Sequence, residues 1–408
     1  MAAAPNVLVV ILAGGEGRRL APLTADRAKP AVPFGGSYRI IDFVLSNFAN
    51  SGFRKIVVLT QYKSHSLDVH ITRTWRFSTL LGNYVTPVPA QMRRGPQWFS
   101  GSADAIYQNL NLIADEQPDV VCVFGADHIY HMDTQQMVDH HRAVGAGVTV
   151  AAIPVPIGEA SAFGIIEADA SGKIVRFHEK PADPPAMPGD PARALASMGN
   201  YVFDTDVLVD IVTPKDNRGP SDIGGDVIPA LTAAGAAHLY DFSTNEIPGQ
   251  SPDERGYWRD VGSLDAYYEA NMDLLAAVPR FNLYNRSWPV YSLQLPLPPA
   301  KLAFGSSGQQ ARVSNTLMSQ GSIVSGAHVD ESVLGTEVFV DTDADVNQTI
   351  LFPNVRVGAG AQLRRCVIDK NVVVPPGYRI GYDAEEDHAR GFTISEHGVV
   401  VIEKDRVL

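Results

Sequence analysis

The sequence is poor in cysteine: 2 in 408 residues, Cys122 and Cys366, far apart and each inside an apolar, strand-like run. Two such residues are too few for a disulfide framework, and reading them as buried, reduced thiols predicts a cytoplasmic protein. Long hydrophobic runs are also missing. None approaches the roughly 18 to 20 apolar residues that span a bilayer, so no membrane partner is expected. The apolar stretch Val7 to Leu12 has no basic region before it and runs into glycines, which reads as a strand and not as a signal peptide. Positive charge is the minority sign, 33 Lys and Arg against 45 Asp and Glu, for a net −12. A surface of that sign repels a nucleic-acid duplex, so no nucleic-acid partner is expected.

What is present is a folded, soluble composition, 45% hydrophobic and 19% charged, in a chain long enough for two domains. Directly after the first apolar run comes Gly14-Gly15-Glu16-Gly17-Arg18-Arg19. Glycines at 14, 15 and 17 predict positive φ and close approach of backbone to a polyphosphate, while the arginines supply forked donors. The loop lacks the Lys-Ser/Thr of a P-loop and the third glycine of a dinucleotide fingerprint. Arg18, Arg19, Arg27, Lys29 and Arg39 face only Asp26 and Asp42 between residues 18 and 42. A basic cluster on an acidic chain points to a localised anionic ligand.

The first two thirds alternate strand candidates (7–12, 55–59, 120–124, 148–153, 198–203) with helix candidates (43–51, 103–116, 134–144). That alternation predicts an α/β fold with a mostly parallel sheet and a ligand site at the carboxyl ends of the strands, where Gly14 to Arg19 and Gly125 to His128 fall. Residues 181–191 read as a proline-rich loop, and Trp288 to Pro299 as a stiff linker. Beyond it, aliphatic residues at Ile323, Val329, Leu334, Val340, Val346, Leu351, Val357, Leu363, Ile368, Val374 and Ile380 recur in steps of five and six. Three such steps repeat about every seventeen residues, which predicts a parallel β-helix of hexapeptides. The expected domains are 1–280, a linker over 281–304, and 305–408. His128 and His131 beside Asp127, and the pair His140-His141, could suggest zinc, but no nearby cysteine supplies a fourth ligand, and solvated or capping histidines are the preferred reading.

Across nearly its whole length the chain resembles bacterial glucose-1-phosphate adenylyltransferases, the ADP-glucose pyrophosphorylases. The motifs are Leu12 to Leu20, Arg27-Ala28-Lys29-Pro30 through Gly36, Arg39-Ile40-Ile41-Asp42-Phe43, Gly101 to Ala105, Phe177-His178-Glu179-Lys180-Pro181 and Tyr257-Trp258-Arg259-Asp260-Val261-Gly262. The resemblance implies a Rossmann-like, GT-A-like nucleotidyltransferase domain followed by a left-handed β-helix. It implies a Mg²⁺-dependent enzyme of glycogen synthesis that joins ATP and glucose 1-phosphate, works as a homotetramer and answers to a phosphorylated metabolite. It assigns Arg19, Lys29 and Asp127 to catalysis and Asp127 and Asp260 to the metal. Substrate contacts fall on Gly14, Gly15, Gly17, Gln61, Gly164, Glu179, Lys180, Ser197 and Tyr201. Regulation falls on the Trp98 loop by the resemblance, and on Arg27, Arg39, Arg364 and Arg365 as a basic surface near the expected domain contact. Two departures stand out: Glu16 in the glycine loop, which shifts phosphate binding onto Arg18, Arg19 and Lys29, and Asp26, where relatives activated by fructose bisphosphate carry a lysine. Use of another nucleotide or sugar, and a non-catalytic regulatory subunit, are the alternatives.

Overall fold

The computed structural model describes residues 5–91, 97–214 and 219–408. Its strands of three or more residues before residue 261 are, in chain order, β1 (Val7–Ala13), β2 (Lys55–Thr60), β3 (Tyr84–Pro89), β4 (Val120–Gly125), β5 (His128–Tyr130), β6 (Val148–Pro156), β7 (Gly164–Ala168), β8 (Ile174–Glu179), β9 (Arg193–Asp204), β10 (Ala237–Asp241) and β11 (Trp258–Asp260). Among the described residues nine of them form one mixed sheet, ordered β8-β7-β9-β4-β1-β2-β3, with β6 beside β9 and β10 beside β6. The run β4-β1-β2-β3 is parallel, and β9 returns antiparallel to β4. β1 sends Val7, Val9 and Ile11 into one core and Leu8 and Val10 into the other, as a strand covered on both faces must. Strands β5 and β11 pair separately, with Asp260 opposite His128.

Three expectations need correction. The helix expected over 103–116 is two, Ser102–Gln108 and Leu110–Glu116, interrupted at Asn109, whose side-chain amide bonds back to the Ala105 carbonyl. The hairpin β7–β8 had no counterpart in the strand expectations. It is an edge hairpin whose second strand keeps Val175 and Arg176 exposed, so its apolar pattern is weak. Trp288 to Pro299 carries no helix or strand, as expected, yet its first half is a fixed strap across the helix α1 (Ile40–Asn50). Trp288 is buried, Asn50 donates to the Pro289 carbonyl, Tyr291 N–H to Ser46 Oγ, and Ser292 Oγ to Asp42 Oδ2.

From Lys301 on, strands of two or three residues stack in three parallel ladders, the geometry of a β-helix. One inward column is Val324, Val340, Val357 and Val374, a second Val329, Val346, Leu363 and Ile380, a third Leu334, Leu351, Ile368 and Ile402. The expected register holds except at its first position. Val324 is fully buried where Ile323 was expected, because the coil from Val324 to Val340 is one residue shorter than the next, from Val340 to Val357. A third core, including Leu20, Phe34, Phe43 and Tyr267 from the first domain and Val333, Phe352, Val367 and Val401 from the β-helix, joins the two.

Candidate active site

The loop after β1, Gln61 after β2 and Asp127 after β4 converge at the carboxyl ends of the parallel strands, around a cleft of about 730 Å³. Of the three glycines only Gly17 has positive φ (67°). A Cβ there would stand 3.1 Å from Lys29 Cβ, so glycine lets the loop close onto Lys29. Gly14 and Gly15 take ordinary negative-side backbone, contrary to expectation; their missing side chains leave the cleft wall open, with nothing within 4 Å of a Cβ on Gly15. Arg19 lines the cleft and has no carboxylate partner among the described residues. Arg18 instead pairs with Glu16 and is largely exposed, so the acid in the loop takes Arg18 away from the phosphate work expected of it.

At the floor, Lys29 Nζ lies 2.9 Å from Asp127 Oδ2 and 3.3 Å from Asp260 Oδ1. A 3-10 turn over Lys29–Ala31 with proline inside it holds this buried lysine in place. Burial pulls the Lys29 pKa down, but Asp127 and then Asp260 outweigh it and the pKa is raised. Burial pushes Asp127 up, and Lys29 followed by His128 overcomes this and holds it well below the usual carboxylate range. His128 Nε2 is 3.6 Å from Asp127 and 3.9 Å from Asp260. The Asp127, His128 and Asp260 ligand atoms all lie within 4.8 Å of one another. Two hard carboxylates already gathered around a cation fit a divalent metal ion, with the lysine ammonium marking where positive charge is favoured.

An adjoining lobe of about 270 Å³ is lined by Gly164, Glu179, Lys180, Ser197 and Tyr201, with Asp127 shared between the two. Lys180 Nζ is 2.7 Å from Glu179 Oε1. A Cβ on Gly164 would lie 2.4 Å from Phe177 Cζ, so glycine is required by the ring packed against it. Gln61 spends both ends of its amide on the Phe99 backbone, tying the loop that carries the exposed Trp98 to the end of β2. Sequence reasoning missed Asp222, which accepts from Ser102 Oγ at 2.8 Å and borders both lobes. Its signal was the acid just before Gly224-Gly225, where it caps the following turn. Of the histidines considered for zinc, His128 stays beside the two carboxylates, whereas His131, buried against Phe281 with its pKa pushed down to about 3, and His141, buried and bonded to Thr149 and Asp204, are core residues and neither solvated nor capping.

The regulatory candidates do not share one surface. Arg27 is buried and reaches Asp369 of the β-helix at 3.0 Å, with Arg39 close enough to depress Lys370. Burial, then Arg39 and Arg27, bring the Lys370 pKa down to about 8, and Lys404 adds to the effect. Lys370 and Lys404 were not anticipated; their signal was a lysine directly after the inward Ile368 and Asp369, and another near the chain end. Arg365 lies elsewhere, over the Tyr268 ring, and Arg364 is exposed beside Tyr382.

The nucleotidyl transferase family model matches residues 8–277, and a GlmU-like C-terminal hexapeptide model matches residues 298–402. The chain is 57% identical over 403 residues to a glucose-1-phosphate adenylyltransferase of Frankia casuarinae, spanning 98% of both chains. It is 55% identical over 406 residues to that of Corynebacterium jeikeium, at 99% of both, and 54% over 404 residues to that of an Anaeromyxobacter species, at 98% of both. With both domains matched end to end and the acidic floor set under a glycine-loop cleft, the chain belongs to the glucose-1-phosphate adenylyltransferase family of nucleotidyl transferases.

Proposed function

We propose that the chain catalyses the reaction its relatives are named for. A phosphate oxygen of α-D-glucose 1-phosphate attacks the α-phosphorus of ATP, the bond from that phosphorus to the bridging oxygen breaks, and ADP-glucose and pyrophosphate form. The observation that carries this reading is the meeting of Lys29, Asp127 and Asp260 at the seam between a nucleotide-sized lobe and a smaller one. Asp127 and Asp260 are the residues to hold Mg²⁺, which supplies charge neutralisation at the α-phosphate when bound. Arg19 and Lys29 then bind the β- and γ-phosphates and the charge that builds on the leaving pyrophosphate. Lys180 grips the phosphate of the sugar, and Glu179, Ser197 and Tyr201 accept or donate to its hydroxyls. The nucleophile is already a phosphate oxygen, so no protein group has to form a bond or move a proton; positioning and charge do the work. Pyrophosphate release with glucose 1-phosphate and either ATP or UTP tests the reading. Turnover with ATP supports it, turnover only with UTP changes the nucleotide, and a folded protein with none would favour the non-catalytic subunit.

Arg27, Arg39, Lys370 and Lys404 at the domain junction are the candidate site for a phosphorylated effector. Lys370 is held under-neutralised there, which a bound anion would relieve. Asp26 Oδ2 stands 3.7 Å from Lys404 Nζ and spends part of that charge, which argues against strong binding of fructose 1,6-bisphosphate. We also propose assembly as a homotetramer in the cytoplasm, as the resemblance implies.

A further inference from the structure

A second groove, of about 760 Å³, lies between the helix Leu264–Met272 with its continuation to Arg280 and one corner of the β-helix. That corner is a column of Asn315, Glu331, Gln348 and Arg365, one from each coil, all in left-handed backbone with φ between 43° and 49°. Repetition of one unusual conformation at one corner aims four polar side chains along the same wall. The groove's charges are unevenly engaged. Asp273 accepts from Arg259 at 3.0 Å and from Tyr257 Oη at 2.8 Å, and Glu331 accepts from the Gln348 amide at 2.8 Å. Glu269 is half exposed and 4.0 Å from His397. Arg280 and Arg365 have no carboxylate partner among the described residues. Arg365 is half-buried and lies 5.5 Å over the Tyr268 ring, which fixes its fork, while the Tyr268 hydroxyl is itself held by the Gln348 carbonyl.

We propose that this groove binds a compact phosphomonoester through Arg280 and Arg365, separately from the catalytic cleft and from the junction cluster. Two unspent guanidinium forks match the oxygens of a phosphate dianion better than a single carboxylate. The Gln348 and Asn315 side chains line the wall beside them, and Met272, Leu275 and Val278 give a short carbon body an apolar side. The location has a further interest. Arg259 and Asp260 are consecutive on β11 and point to opposite faces of it, so the groove stands behind the strand that carries one of the cleft's two carboxylates.

The test is calorimetric titration of the full chain with glycerol 3-phosphate and, in a parallel arm, malonate. Arg365→Ala and Arg280→Ala should each weaken one phosphate-ester binding event by about tenfold, the loss expected for one charge-assisted hydrogen bond, while Lys370→Met leaves that event intact. Titrations unchanged by either arginine substitution, or binding abolished by Lys370→Met, would overturn the proposal. Malonate bound as tightly as glycerol 3-phosphate would overturn the assignment of the ligand class. Arg365→Lys keeps the charge and loses the fork; recovery of full affinity in that variant counts against guanidinium recognition. Pyrophosphate-release activity of the Arg280 and Arg365 variants, with ATP and glucose 1-phosphate but no glycerol 3-phosphate or malonate, should match that of the unsubstituted chain, which separates loss of this groove from loss of the active site.

Discussion

Lys29 is buried and Lys370 half-buried, each beside an acid, and their environments drive them in opposite directions. Lys29 sits between two carboxylates that more than repay its burial, so its proton is held tightly. Lys370 loses most to burial; Arg39, Arg27 and Lys404 also repel it, and Asp369, already paired with Arg27, returns too little, so its pKa comes down to about 8. One site is electrically complete and can exchange its internal cation for a metal ion and a phosphate. The other is short of negative charge, which the proposed effector would supply. Burial alone therefore says little about what a lysine is for; the balance of partners around it does.

The contrast can be broken most severely at the complete site. Asp127→Ala should lower turnover about a thousandfold, roughly 4 kcal/mol of transition-state stabilisation; near-normal pyrophosphate release from that variant would remove Asp127 from the mechanism. Replacing each lysine by methionine sharpens the comparison. Lys29→Met leaves Asp127 and Asp260 facing one another and should cost about 2 kcal/mol in denaturant unfolding without metal, a loss that divalent cation restores. Lys370→Met removes a repelled charge and should be neutral or slightly stabilising, so equal losses from the two substitutions would erase the distinction. In the smaller lobe, Lys180→Ala should raise the KM for glucose 1-phosphate by about tenfold with a lesser change in kcat, because the contact exists in ground and transition states alike.

The next effect is a pH dependence. An anion at the junction binds the ammonium form of Lys370, which is present below about pH 8 and is lost above it. Effector affinity should therefore be flat between about pH 7, where the phosphate is already a dianion, and about pH 8, and fall by up to about tenfold per unit above it, an effect that Lys370→Met abolishes. The smallest expected response is to fructose 1,6-bisphosphate, since Asp26 already occupies Lys404; a large, saturable activation by that sugar in the pyrophosphate assay would contradict the reading.

The parts of the molecule that were legible in the sequence are those where one physical requirement dominates. β1 and the glycine loop announce themselves because an apolar run and a turn must adjoin, and the β-helix because one aliphatic residue per side must point inward. Reading failed where partners come from far away. It failed at close range too: Glu16 neighbours both Arg18 and Arg19, and only the folded loop shows that it pairs with the first. Arg27 and Arg365 look alike in sequence, but only Arg27 meets Asp369, 342 positions later. Gly14 and Gly15 were assigned a backbone conformation when what the site uses is their lack of bulk. Asp222 was passed over because a capping acid before two glycines is ordinary until the loop opposite it is known.

The strap across α1 bears on how the protein comes apart. The fully buried Asp42 carboxylate receives the Arg39 N–H, the His70 and Trp75 side chains and, from the strap, the Ser292 hydroxyl. A fragment ending near residue 280 would lose the last of these, and with it the Tyr291 and Pro289 bonds that engage Ser46 and Asn50. The two halves of the chain are thus cooperative neighbours, and a shortened nucleotidyltransferase meant to stand alone should be cut after the strap.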